Sequence, residues 1–389
     1  MMNLAFKKSI ILSPLFVAVS AVGELWQVPT FTPQDLRLGL QDELLRETLT
    51  TSGLLAIRIP AGGTGTNNDA LAGICQCREN FGVGVDGGDR ILLADGLTVR
   101  STIATATVGT DHPLALPEHG IKKQCGPETY KDLERARDYV SQAASELFVP
   151  ALDRVIQEAS SEKHTILNTK HGASYQSVRT IVQDSVNLEH FHSYVKKSTS
   201  KEGDTTPIDP ALNWHTDGGL FLAFLPAKTC HDHRDHDDSF RLKLRGSDAE
   251  VLASFPPNQD GEVIVAIMLG AGSESWLNTP SSLKLRATRH AVKMSSGDQR
   301  AWYGMMFQVP AESIVQTSPQ LLTFAEMKKS SVHSGGRRFS DDKSNPDNVV
   351  IGCGVGQPFL NNYSTPVRHR LQHVGKSRHI HVLSIPLCI

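Results

Sequence analysis

His215 and Asp217 sit two apart inside the run Leu212-Asn213-Trp214-His215-Thr216-Asp217-Gly218-Gly219-Leu220-Phe221. In an extended segment the side chains at i and i+2 point to one side, so His215 and Asp217 can grip one cation while Thr216 faces away. Two ligands need a third. His290 is the candidate, because Ala287-Thr288-Arg289-His290-Ala291-Val292-Lys293-Met294 has strand character and runs into a turn. Two imidazoles and one carboxylate on one face of an octahedron leave the opposite face open, which suits Fe(II) that must bind a chelating co-substrate and dioxygen together. A lone His-x-Asp recurs by chance, and the plain alternative is three unrelated polar residues, so the context has to decide.

Past His290 the chain reads Ser295-Ser296-Gly297-Asp298-Gln299-Arg300-Ala301-Trp302. A three-residue hairpin loop, Ser295-Ser296-Gly297, with Gly297 left-handed, would pair Met294 with Asp298, Val292 with Arg300 and His290 with Trp302. That register puts His290, Arg300 and Trp302 on one face. A guanidinium there offers a planar fork to a carboxylate, so a dicarboxylic co-substrate could hold the metal at one end and Arg300 at the other. A two-residue loop would turn Arg300 to the opposite face and remove the site.

With Arg300 ten positions beyond His290, this set resembles the 2-oxoglutarate and Fe(II)-dependent dioxygenases, in their isopenicillin N synthase-like branch. The similarity extends to Leu242-Lys243-Leu244-Arg245-Gly246-Ser247-Asp248-Ala249-Glu250, to Gly261-Glu262-Val263-Ile264-Val265-Ala266-Ile267, and to Val28-Pro29-Thr30-Phe31 with Ser52-Gly53-Leu54-Leu55-Ala56-Ile57. It covers most of 28–310 and is most specific over 212–307. The resemblance implies a mainly β fold with flanking helices, its core a double-stranded β-helix, or jelly roll, holding iron at its mouth. It implies Fe(II) on His215, Asp217 and His290, with 2-oxoglutarate and dioxygen as co-substrates. Arg300 would take the far carboxylate, and Tyr194 would lie on an upstream core strand within reach of the co-substrate. No catalytic side chain beyond the metal ligands is expected. The implied reaction oxidises, and most often hydroxylates, a small organic molecule, with succinate and CO2 as co-products.

The family usually carries Arg-x-Ser at this point, whereas this chain has Arg300-Ala301-Trp302. Trp302 offers a single indole N–H and is far bulkier than serine, so the pocket should be narrower or differently shaped. That departure keeps two alternatives open: a non-catalytic metal-binding protein, or an Fe(II) oxidase that does not use 2-oxoglutarate.

Composition limits the partners. Among 389 residues, 39 Lys and Arg against 41 Asp and Glu give a formal net charge of −2, so nothing points to nucleic acid or an anionic membrane, and a small-molecule, uncharged substrate is compatible with that balance without being demanded by it. The oligomeric state is left open. Residues 1–23 read as a signal peptide, with Lys7-Lys8, an apolar stretch from Ser9 to Val22, and Ala21-Val22-Gly23 as the small-residue site. It is too short for a comfortable membrane span, so no membrane anchor is expected in the mature chain. On that reading the protein enters the secretory pathway; an N-terminal strand in a cytoplasmic protein is the alternative. Cys75, Cys77, Cys125, Cys230, Cys353 and Cys388 then become candidate disulfide partners of undetermined connectivity, with Cys75 and Cys77 too close to bridge each other easily and free thiols, buried or at the surface, the alternative. Asn362-Tyr363-Ser364 is a glycosylation triplet that matters only in that compartment.

The elements that must position these residues divide the chain into an N-terminal α/β region at 24–173 packing on the core, the oxygenase core at 174–310, and a C-terminal extension at 311–389. Thr32 and Pro33 start a helix that Gly53 ends, followed by a strand over 54–59. The resemblance makes 72–118 the substrate entrance. A long helix spans 128–158, interrupted at Pro150. Strands are expected over 178–186, 186–195, 220–225, 240–244, 263–269, 285–294 and 300–309. The run Cys230-His231-Asp232-His233-Arg234-Asp235-His236-Asp237-Asp238 reads as a solvated loop, with a second metal site the weaker alternative. A helical piece over 319–329 precedes a polar segment and a basic, His-rich tail.

Overall fold

In the computed structural model, the described residues are 24–333, less 62–66, 78–79, 86, 161–164, 199–209, 231–237, 248, 260 and 317–320, together with 349–350. The signal segment at 1–23, most of the loop after Cys230, Cys353, Cys388, the triplet at Asn362 and the basic tail lie outside them.

Between Val186 and Phe307 the described chain lays down eight strands in two facing sheets. Val186–Lys196, Phe221–Thr229, Glu262–Leu269 and Gln299–Phe307 form the centre of the larger sheet. Leu212–Asp217, Phe240–Lys243, Glu250–Ser254 and Arg289–Val292 form the smaller one. Apart from the antiparallel pair Phe240–Lys243 and Glu250–Ser254, each successive strand crosses to the other sheet. That order is the expected jelly roll. Earlier strands widen the larger sheet: Leu54–Pro60 pairs with Glu262–Leu269 on one side, and Thr98–Val108 pairs with Val186–Lys196 on the other, with Gly88–Leu92 beyond it.

Alternation along these strands produces two apolar layers. Leu54, Ala56, Leu222, Phe224, Ile264, Ala266 and Met306 face the smaller sheet, where Leu242, Val251, Ala253 and Val292 meet them. Their neighbours Leu55, Ile57, Phe221, Ala223, Val265, Ile267 and Tyr303 face outward, under Leu133, Ala136 and Val140 of the helix Pro127–Ser141. A buried ion pair ties that helix to the sheet. Arg137 donates from Nε (2.7 Å) and Nη2 (2.9 Å) to Glu189, which also accepts from the Tyr303 hydroxyl at 3.0 Å and from Thr107. Disulfides Cys75–Cys230 and Cys77–Cys125 fasten the helix Asn67–Cys77 at both sides. No helix among the described residues is long and apolar enough to cross a membrane.

The structure corrects four expectations. The hairpin after His290 does not form: Arg289–Val292 pairs with Leu212–Asp217 and Phe240–Lys243, whereas Gln299–Phe307 pairs with Phe221–Thr229 and Val186–Lys196 in the opposite sheet. Gly297 is left-handed as expected (φ 79°), but the turn from Ser295 to Asp298 carries the chain between sheets. Residues 178–183 form a helix, not a strand, because Ser177 caps it and the Asp153 carboxylate accepts from the Val178 and Arg179 amides. The first helix is two, Pro33–Leu38 and Asp42–Thr51, divided where Gly39 turns left-handed (φ 68°). Pro150 does not interrupt the long helix. A wide π-helical segment, Gln142–Phe148, precedes it, and Pro150 falls in the first turn of Val149–Ala159, where no amide donor is needed.

Candidate active site

His215 and His290 face each other across the antiparallel pair in the smaller sheet. Between that pair and the next, Leu212 with Val292, the His215 strand uses one residue more than its partner, a bulge that re-aims the side chains beyond it. The ring centres lie 4.2 Å apart. His215 Nε2 is 3.7 Å from one Asp217 oxygen and His290 Nε2 is 4.0 Å from the other, and the three ligand atoms all fall within 4.8 Å of one another. These separations are too long for hydrogen bonds, yet they fit donors converging on one ion.

Each imidazole is oriented by its own strand. His215 Nδ1 lies 2.6 Å from the Asn213 carbonyl and His290 Nδ1 lies 3.1 Å from that of Thr288. A carbonyl only accepts, so Nδ1 carries the proton and donates, and Nε2 presents a lone pair toward Asp217. Burial, reinforced by His215 and Arg300, holds His290 well below its ordinary pKa, so it is neutral as a ligand must be. Burial also pushes the Asp217 carboxyl up, against the opposing pull of His215. A desolvated carboxylate beside two aligned lone pairs is a donor set that a divalent cation would complete, and the residues fit the metal the family resemblance implies.

The larger sheet supplies the opposite wall. Register places Arg100, Tyr194 and Arg300 side by side on three neighbouring strands, with Thr102, His192 and Trp302 in the adjacent inward-facing row and Ala104, His190 and Gly304 in the one after. Leu188 and Met306 share their parity and pack between the sheets, so these rows face the same interior. The Arg300 guanidinium lies 5.6 Å from the Tyr194 ring centre. Trp302 stacks on His192 (5.2 Å, 11° between planes) and reaches Phe224 at 5.9 Å. Its indole lies over Gly304, where a Cβ would come within 2.4 Å of it, so the ring points along the strand away from Arg300. The narrowing expected from Trp302 therefore falls on the Gly304 row.

Of the residues singled out in the sequence, His215, Asp217 and His290 converge, Tyr194 adjoins Arg300, and Trp302 lies one row away. Arg300 shares the interior with His290, whose pKa feels its charge, through the facing of two sheets and not through hairpin pairing. Arg100, His190 and His192 were not anticipated. The alternation His190-Phe191-His192-Ser193-Tyr194 could have shown the histidines sharing Tyr194's face, whereas Arg100 becomes visible only from a strand pairing that spans about ninety residues.

No protein-family model matches the chain, and no curated protein matches it. Among solved structures it is similar to the dioxygenase for auxin oxidation from rice, at 12% identity and a TM-score of 0.50, over 79% of this chain and 96% of that one. It is also similar to dioxygenase for auxin oxidation 1 from Arabidopsis thaliana, solved with 2-oxoglutarate, at 11% identity and a TM-score of 0.45, over 73% of this chain and 93% of that one. The fold is thus the jelly roll of the oxygenase family to which the sequence resemblance points.

Proposed function

We propose that the protein is an Fe(II)- and 2-oxoglutarate-dependent dioxygenase that oxidises, and most often hydroxylates, a small organic substrate. The observation that carries this reading is the convergence of His215, Asp217 and His290 on one sheet, opposite an Arg300–Tyr194 pair on the other. The fold shared with the rice dioxygenase supports it.

Iron, when bound, would supply oxygen activation coupled to decarboxylation of 2-oxoglutarate into succinate. The chain's own residues do the rest. His215 and His290 offer Nε2 donor atoms, their rings fixed by the Asn213 and Thr288 carbonyls, and Asp217 supplies a carboxylate. Arg300, 6% exposed, offers a fork to the far carboxylate, and Tyr194 beside it offers a hydroxyl. Phe224, Phe240 and Trp302 line the space between the sheets and keep water from the bound groups.

The test follows labelled 2-oxoglutarate in the iron-loaded full-length chain. Release of succinate that disappears in His215→Ala, together with stoichiometric metal binding, is expected. Tight iron without succinate would overturn the reading in favour of a metal-binding protein or an oxidase that draws its electrons from substrate alone. We further propose that the protein works in the secretory pathway or outside the cell; the two disulfides support this, since such bonds persist in oxidising compartments.

A further inference from the structure

We infer that Arg100 forms a second anion-binding subsite beside that of Arg300, and that it receives the carboxylate of the molecule to be oxidised, making the substrate a small organic acid. The word substrate rests on the function proposed above; the subsite itself does not.

Arg100 is 6% exposed and cannot shed its charge. A buried charge is costly unless something opposite compensates it, and two other buried cations, Arg137 and Lys196, follow that rule. Arg137 is paired with Glu189, and Lys196 with Asp95 at 3.2 Å. For Arg100, no carboxylate among the described residues forms an ion pair, and its Nε is buried without a hydrogen-bond partner among them. Its own row, with Ile91, Tyr194 and Arg300, brings no carboxylate, and the acids in the rows on either side, Asp89 opposite Thr102 and Asp95 bonded to Thr98 and Lys196, form no ion pair with it. Tyr194 stands beside it with Arg300 beyond, Thr102 bonds His192 at 2.9 Å, and His190 and His192 are held neutral by burial and by Arg100 itself. A buried guanidinium left unpaired in these surroundings is completed by an anion.

Two observations separate this subsite from the one for the co-substrate. Strands lie about 4.8 Å apart, so Arg100 and Arg300, two strands apart, start about 10 Å from each other with the Tyr194 ring between them. The Arg300 guanidinium faces the Tyr194 ring at 5.6 Å, and the Tyr194 strand runs between it and Arg100. A co-substrate stretched from the metal ligands to Arg300 therefore ends before Arg100. The planar guanidinium selects a carboxylate or a similar oxyanion, and the flanking His192–Trp302 stack offers a flat apolar wall to the body of the molecule.

The experiment titrates formate, acetate and benzoate, with formamide, acetamide and benzamide as neutral counterparts, into the full-length chain loaded with Mn(II) and 2-oxoglutarate. At least one acid is expected to bind in the range of about 10 mM or tighter while its amide does not. In Arg100→Gln that affinity falls about tenfold or more, the worth of a charge-assisted hydrogen bond, and the Kd for 2-oxoglutarate stays put. Arg300→Gln shows the reverse. The inference is overturned if no acid is preferred over its amide, if Arg100→Gln binds the acid as the wild type does, or if Arg100→Gln weakens 2-oxoglutarate as Arg300→Gln does. Should the wild type fail to bind 2-oxoglutarate at all, the proposed function fails, and the same acid titrations without it still judge Arg100. The acid–amide comparison needs only the wild-type chain, so it stands even if a variant does not fold.

Discussion

At the scale of single residues, the inner face of the larger sheet carries an electrostatic burden that pH will reveal. His190 is fully enclosed and held down to about 3, first by burial and then by Arg100 and Lys328. Above its ordinary value of 6.5 the ring is neutral whether the chain is folded or not. As pH falls from there toward 3, the unfolded chain takes up a proton that the folded chain refuses, so stability declines with acidification, by about 2 kcal/mol from this ring at pH 5. Urea unfolding at pH 7 and pH 5 should show that loss in the wild type and a smaller one in His190→Gln; equal losses would refute the assignment. The residues legible in the sequence were those whose geometry is local. His215 and Asp217 share a side because two positions apart in a strand always do, and Arg300 kept its inward face because alternation within Gln299–Phe307 survives a wrong choice of pairing partner. Arg100 was not legible, since its place beside Tyr194 depends on the register of two strands far apart in the chain.

At the scale of elements, tertiary partners decided the cases that propensity misjudged. Val178, Thr180, Ile181 and Val182 favour a strand by their branched side chains, yet Ser177 and Asp153 satisfy the first amides of a helix there. The Asp153 carboxylate belongs to another helix, which a local reading does not see. The long helix at 127–159 is anchored on the outer face of the sheet through Arg137 and Glu189, both nearly inaccessible. Removing one partner leaves a buried charge uncompensated, so Arg137→Met should destabilise the fold by about 3–5 kcal/mol. Metal affinity should change little, because Glu189 and His190 point to opposite faces of their strand. Denaturant unfolding and a metal titration on the same variant check both halves, and a variant that lost metal affinity without losing stability would contradict this division of the sheet's faces.

At the scale of the whole molecule, covalent and ligand-borne links hold different layers. The two disulfides tie the helix Asn67–Cys77 to the segments at Cys125 and Cys230, so the undisrupted chain, unfolded without reductant, should titrate with at most two free thiols of its six cysteines. Four or more would show that at least one of these bonds does not form. The link between the two sheets is of another kind. His215, Asp217 and His290 belong to the smaller sheet, while Arg300 and Tyr194 belong to the larger, so a co-substrate held by both would staple them across the apolar layer. Anything that binds only the folded chain stabilises it, by about 2.7 kcal/mol at a hundredfold excess over its Kd. Mn(II) should therefore raise Tm by itself, and 2-oxoglutarate should add a second increment only when the metal is present. Arg300→Gln should keep the first increment and lose the second, whereas His215→Ala should lose both. A 2-oxoglutarate increment that persists in Arg300→Gln would place the far carboxylate elsewhere and dissolve the proposed bridge between the sheets.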